Sequence, residues 1–427
     1  MTTPDAPSVP QADNTRSGPL RGHRVVELCS TIAGPVCARL LADFGAEVIK
    51  IEPREGDPGR NFGAQVEGVS LYGSSMYRNK QSIVLDLKHP EGRDIALTLL
   101  DKADVLVENF RPGVLDRLGL GEDVLRARNP GLVTVRISGY GQTGPYRDLP
   151  GYGAICEAVA GVRHMTGDPD RPPARCALPT TDYLTAVYAA FGTMMALYER
   201  TRSGQGQMID VALYESAFSQ MEEAAASYEH TGIVPMRQGP RLMNTAPNSL
   251  YPTSDEHWVL IAANNDAIFR RLAAVMAHPE WASDARYATQ RGRGERVEEI
   301  DGLVSAWTRE RTANEVRRLL DEAEVPVAPV YTIADIFEDQ HYRAREMLLR
   351  IPHPKLGEVT MAGVAPKLSR TPGRVVKAGS GIGEDTREVL TQDLGMSDTE
   401  IDRLEHAGAV WCGAGEHPVA SSQATVG

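Results

Sequence analysis

Asp182 stands in the segment Thr180–Thr181–Asp182–Tyr183, at the head of a run that stays apolar for several turns. On the residues alone its first reading is a first-turn carboxylate that stabilises a helix dipole, a contribution of up to about 1 kcal/mol. The second reading is a carboxylate nucleophile. The same partial positive charge keeps the group ionised at neutral pH, and small neighbours leave access for a substrate. Gly139, Gly141 and Gly144 spell G-x-G-x-x-G. A dinucleotide fingerprint must open a helix, so that the helix N-terminus meets the pyrophosphate. Here Pro145 and the segment DLPGYG follow, which is loop chemistry. No H-E-x-x-H, G-x-S-x-G, P-loop or clustered His/Cys set occurs, and the ten histidines are scattered, so metal and serine-hydrolase chemistry have little support.

The elements that must position Asp182 follow from periodicity. RVVEL (Arg24–Leu28) reads as a buried strand, Pro35–Phe44 as a helix stopped by Gly45, and Val48–Glu52 as a second strand ended by Pro53. That is a βαβ unit, which implies parallel pairing. A helix over Pro90–Leu100, strands over Asp104–Asn109 and Leu132–Ser138, a long helix over Asp182–Arg200 and a strand over Gln207–Leu213 continue the alternation. The expected fold is a large doubly wound, Rossmann-like α/β domain. Beyond residue 225 the pattern changes. A strand at His257–Ala263 and a charged helical stretch to about residue 325 predict a smaller α/β domain. From about residue 330 the chain reads as irregular, then as a helix around Glu384–Leu394 and a short one over Ser397–Gly408 opened by a Ser–x–x–Glu capping box. The division predicted is 20–225, the first part of the large domain; 226–330, the small domain; and 331–411, a linker and a return to the large domain. Residues 1–19 and 412–427 are expected to be disordered.

Composition bounds the function. The chain has 427 residues, 42% of them apolar, and a formal net charge of −12. An acidic chain is a poor nucleic-acid binder, because phosphate contacts need surplus Lys and Arg. Five widely spaced cysteines without a C-x-x-C pair fit a reducing compartment, and a cytoplasmic protein is expected. The N-terminus lacks the apolar core of a signal peptide. The apolar run Ala186–Tyr198 is too short to span a bilayer, which takes roughly 20 residues.

Several long segments, in order, resemble one family: AGPVCARLLADFGAEVIKIEP, RNKQSIVLDLKHPEG, ADVLVENFRPGVLDRLGL, ISGYGQTGPY, TDYLTAVYAAFGTMMALYERTRSGQGQMIDVALYES and GEDTREVL. The chain is identified by them as similar to the class III CoA-transferases, the formyl-CoA and carnitine-type family that also holds 2-methylacyl-CoA racemases, from about Gly22 to Val410. The resemblance implies that Asp182 is the nucleophile, forming an aspartyl anhydride and then an aspartyl-CoA thioester, with coenzyme A as substrate and product and no metal. It implies acyl-CoA and carboxylic-acid partners and an interlocked homodimer. It carries coenzyme A contacts onto Ile32, Ala33, Pro53, Leu85, Lys88, Asn109, Phe110, Arg111, Arg117 and Tyr152. Lys88, Arg111 and Arg117 are the expected phosphate partners.

Two other functions are open at this point: an acyl-CoA racemase and a non-catalytic acyl-CoA binder. In the racemases a Gly-His-Asp segment supplies the second base, whereas this chain has Gly151, Tyr152 and Gly153. An ordinary Tyr, with a pKa of about 10, is a poor base near neutrality. His164 could replace it only from a position that does not match. The glycine run that marks oxalate-specific relatives is missing from GPRLMNTAPNSLYPTSDEHW, which turns attention from oxalate to other short acids such as succinate.

Overall fold

A computed structural model describes residues 17–242 and 245–413. Strand β1 (Arg24–Leu28) buries Val25, Val26, Glu27 and Leu28 in succession, the pattern of a strand covered on both faces. It leads into helix α1 (Ala33–Asp43) and strand β2 (Glu47–Glu52). There follow α2 (Leu71–Met76), β3 (Lys80–Leu85), α3 (Pro90–Asp101), β4 (Val105–Glu108) and β5 (Val133–Ser138). Helix α4 (Gly153–Val159), the long helix α5 (Thr180–Ser203) and strand β6 (Met208–Ala212) come next.

The chain divides into two compact units. The first takes the described chain up to Ala160, Leu178–Met221 and everything described from Arg343 on. The second takes Gly161–Ala177 and Glu222–Tyr342. In the second unit, β7 (Asn248–Pro252), β8 (Trp258–Ala262), α6 (Asp266–Val275), α7 (Val297–Arg309), α8 (Ala313–Glu322) and β9 (Val327–Pro329) form an antiparallel three-stranded sheet with helices. Val259 and Ile261 are buried while Trp258 and Leu260 between them are exposed, so this sheet has one dry face. Phe269, Leu272, Trp307 and Val316 cover that face.

The first unit ends with β10 (Leu348–His353), β11 (Gly357–Ala362), α9 (Thr386–Leu394), α10 (Asp398–His406) and β12 (Val410–Trp411). Its sheet has seven strands in the order β12-β3-β2-β1-β4-β5-β6. Every pair is parallel except β12 with β3. Alternate residues feed opposite cores. Val25, Val48 and Val105 pack under α1 and α5, and Val26, Ile49 and Leu106 pack under α3 and α9. Each such side chain contributes about 1.5–3 kcal/mol on burial. From β3 to β6 the order is that of a doubly wound sheet, which reverses between β1 and β4. Ligands bind outside the carboxyl ends of the strands at such a reversal.

Three sequence expectations need correction. The sheet is mixed, because β12 closes its edge against β3 with an antiparallel pair, and neither strand was read from the sequence. The stretch after residue 330 is not irregular throughout. It carries the hairpin of β10 and β11, whose alternation is short and interrupted by Pro352. At Ser397 the side chain accepts from the Glu400 amide, but the return half of the capping box is not formed. Of the ends expected to be disordered, residues 1–16 and 414–427 lie outside the described residues. Leu20, just inside, is anchored by its amide to the Phe44 carbonyl at 3.0 Å.

Candidate active site

The turn from Cys29 to Pro35, at the reversal point, is held from beneath by buried charges. Lys50 Nζ donates to the Cys29 carbonyl at 2.7 Å and to Glu27 at 2.9 Å. Lys80 Nζ donates to the Pro35 carbonyl at 2.6 Å and to the other Glu27 oxygen at 2.7 Å. Both lysines and Glu27 are fully buried. Burial acts against the Lys50 charge, but Glu27 and Asp57 outweigh it and hold the ammonium above its ordinary range. Asn109, at the end of β4, accepts from the Ser30 amide and donates to the Ser30 carbonyl. Thr31 sits at φ 74°, costly for a β-branched residue, and its amide is fixed by Asp57 Oδ1 at 2.8 Å. The turn is therefore rigid before any ligand arrives.

Asp182 lies in the first turn of α5, half-buried, where the helix dipole favours its charge. The first residue of α4, Gly153, lies directly against it: a Cβ at 153 would stand 2.0 Å from Asp182 Oδ2. Any side chain there would displace the carboxylate. Burial first, and then the Asp182 charge, push the Cys156 thiol up to about 11, so this neighbour is a neutral wall. Burial, Tyr183 and the Asp182 charge raise the Tyr72 hydroxyl on α2 above the ordinary phenol range. The Tyr183 ring lies 5.9 Å from the Arg39 guanidinium of α1. Tyr72, Arg39 and Cys156 were not singled out from the sequence. Arg39 sits in an otherwise apolar helical segment, and Tyr72 lies in a helix too short to show a period.

The glycine triplet is explained by packing. A Cβ on Gly139 would stand 2.8 Å from the Gly151 Cα, while Gly141 and Gly144 take positive φ. These glycines bring the loop after β5 against the residues that lead to Gly153. Tyr152 caps α4 and is 70% exposed. His164 lies in the second compact unit, where its carbonyl accepts from Arg237.

The residues expected at coenzyme A fall into three groups. Ile32 and Ala33 open α1, and Asn109 clamps the turn before them. Phe110 packs on the second core. Lys88, Arg111 and Arg117 are exposed, and their side chains make no hydrogen bond or ion pair among the described residues; Pro53 is exposed as well. Leu85 differs from the expectation of a lining side chain. It is only 2% exposed, packed in the core, and paired with Val410 of β12.

Residues 20–386 match the model of CoA-transferase family III. The chain is 46% identical to a succinyl-CoA–D-citramalate CoA-transferase of Chloroflexus aurantiacus over 91% of this chain and 97% of that protein. It is 42% identical to the beta subunit of a succinyl-CoA–L-malate CoA-transferase of the same organism, over 91% and 98%. Among solved structures, a CaiB/BaiF family protein from Brucella suis superposes with a TM-score of 0.78 at 32% identity, covering 88% of this chain and 99% of that one. Among the described residues no helix is long and apolar enough to cross a membrane. The chain belongs to CoA-transferase family III and is a class III CoA-transferase.

Proposed function

We propose that this enzyme moves coenzyme A between short dicarboxylic acids, with Asp182 as its nucleophile. The observation that carries the reading is the Asp182 carboxylate in the first turn of α5, seated against the bare Gly153 backbone where a side chain would displace it. Asp182 attacks the donor thioester carbonyl and expels CoA thiolate, giving a mixed anhydride. The thiolate attacks the aspartyl carbon, releasing the donor acid and leaving an aspartyl-CoA thioester. The acceptor carboxylate attacks that carbon and expels the thiolate again. Finally the thiolate attacks the acceptor's acyl carbon and restores Asp182. Each step exchanges one acyl bond for another of similar energy, so neither ATP nor a metal enters the balance.

The turn at Ile32 and Ala33 is the proposed seat of the pantetheine arm. Lys88, Arg111 and Arg117 are the proposed phosphate partners, as exposed uncommitted cations suit charge-assisted bonds. Succinyl-CoA as donor and a malate- or citramalate-like acceptor are proposed because the similar transferases of Chloroflexus carry those substrates in their names. A homodimer of interlocked chains is part of the proposal. Its support is the apolar face of α5, where Val187, Tyr188, Phe191, Met194, Met195 and Tyr198 are all exposed. Threaded chains would give a single dimeric species at nanomolar concentration in analytical ultracentrifugation; a folded monomer there would refute the interlock.

The racemase reading is disfavoured because Tyr152 and Gly153 stand where the racemases carry the His and the acid of their second base. Purified enzyme, incubated with succinyl-CoA, a free acid and hydroxylamine, is expected to be inactivated by modification at Asp182, read by peptide mass spectrometry. Asp182→Ala is expected to lose on the order of 10⁴-fold in turnover. Full activity in that variant would end the mechanism. Rapid deuterium uptake at the 2-position of a 2-methylacyl-CoA, without any acceptor acid, would favour the racemase.

A further inference from the structure

Arg39 is a cation close to the nucleophile that the transfer steps do not use. It lies in the second turn of α1, largely buried, and its Nε is buried without a hydrogen-bond partner. Its guanidinium makes no ion pair among the described residues. Asp43 is near enough to act on its charge but is committed elsewhere. Arg78 donates to both Asp43 oxygens at 2.6–3.2 Å, and Asn79 donates to Oδ1 at 2.8 Å. What Arg39 does touch leads to the nucleophile. It lies 5.9 Å from the ring of Tyr183, the residue after Asp182. The charges of Arg39 and Asp182 both act on the Tyr72 hydroxyl, which ties the three groups into one neighbourhood.

A guanidinium partly withdrawn from water without a counter-ion is unfavourable, and its planar fork matches a carboxylate with two parallel bonds. The carboxylate that reacts is engaged at Asp182, so a partner for Arg39 must be a second one. We propose that Arg39 receives the far carboxylate of a dicarboxylic substrate and is the residue that selects dicarboxylic over monocarboxylic acids. This inference rests on the transferase reading of Asp182. A monocarboxylic acid of the same length would set a methyl group against the buried cation, and the enzyme would bind it poorly for that reason.

The test compares succinate with butyrate, which keeps the four-carbon chain and loses one carboxylate. Wild type, Arg39→Gln and Arg39→Lys are assayed as full-length proteins with each acid as acceptor, and thermal melting checks that each variant folds. Arg39→Gln is expected to lose roughly 100-fold in kcat/KM for succinate, mostly through KM, while butyrate changes by less than about threefold. Arg39→Lys is expected to recover about a tenth of the succinate activity, because it keeps the charge and loses the fork. In a second readout, free succinate with CoA raises the melting temperature of the wild type more than butyrate does, and Arg39→Gln abolishes the difference. Equal losses for both acids, or no loss for succinate, would overturn the inference. Hydroxylamine labelling separates the two readings. A wild type that labels at Asp182 yet shows no preference for succinate overturns the role of Arg39 alone. A wild type that never labels there overturns the transferase mechanism and the role of Arg39 with it.

Discussion

Two charged regions lie close together in the first unit and are built on opposite principles. Beneath the turn after β1, Glu27, Lys50, Lys80, Asp57, Glu52 and Arg60 are buried or nearly so, and each has an opposite partner. Glu52 shows the balance. Burial pushes its carboxyl up, yet Arg60 more than offsets this and holds it at about 2. Around Asp182 the polar groups are only partly matched. Arg39 has a buried nitrogen without a hydrogen-bond partner. A saturated cluster can only hold its shape, whereas an unsaturated one gains by binding something. The first region is scaffold and the second is the proposed site.

Removing a charge from the saturated cluster should give the largest effect on the fold. Lys50→Met strands Asp57 and takes one of two cations from Glu27, and is expected to destabilise by about 3–5 kcal/mol in urea titrations. A loss well under about 1 kcal/mol would erase the distinction between the two regions.

Glu108, at the end of β4, is a buried acid with Arg136 no nearer than 3.7 Å, and its match can be tested separately through pH. Burial raises its carboxyl from an ordinary 4.5 to about 7, against a hydrogen bond from the Phe110 amide and the Arg136 charge. The folded state therefore favours the protonated acid. Its contribution is full below about 4.5 and is lost as pH rises through about 7, at up to roughly 1.4 kcal/mol per pH unit. The urea midpoint of Glu108→Gln is expected to be flatter across that window than that of the wild type. Equal slopes would show that the charge is better matched than the geometry indicates.

Next in size is the surface. Arg111 and Arg117 have no side-chain partners among the described residues, so the double Gln variant is expected to raise KM for acyl-CoA about tenfold with little change in kcat. Its melting temperature should not move; a large drop would make these arginines structural. The smallest effect on stability should come from Arg39 itself. Arg39→Met removes a partly buried cation that no carboxylate pairs with among the described residues. Its urea stability is expected to stay within about 1 kcal/mol of the wild type, or to exceed it. A loss like that of Lys50→Met would place Arg39 with the scaffold.

Much of this was legible in the residues. Arg24–Leu28, Val48–Glu52 and Leu132–Ser138 are short runs rich in Val, Ile and Leu, and a strand in a parallel sheet reads as such a run, so strands and fold class could be read directly. The Asp182 segment could be found because a long motif surrounds it. The edge strands were hidden for a physical reason. β12 is two residues long and is a strand only because β3 lies beside it. Nor does the sequence show that Gly161–Ala177 groups with the second unit. The charged residues of β1 and β2 look like ordinary alternating polar positions until the sheet buries them together.

The order of apolar runs and the chemistry of the turns between them are local properties, so the sequence alone determined the doubly wound class and the place of Asp182 on a helix. Which charges are matched is not local. Lys50 and Lys80 are 30 positions apart in the chain yet share Glu27, and Arg39 loses Asp43 to Arg78 across 35 positions. Only tertiary packing decides which of several nearby arginines takes a carboxylate and which is left without one, because a buried charge is settled by what surrounds it in space.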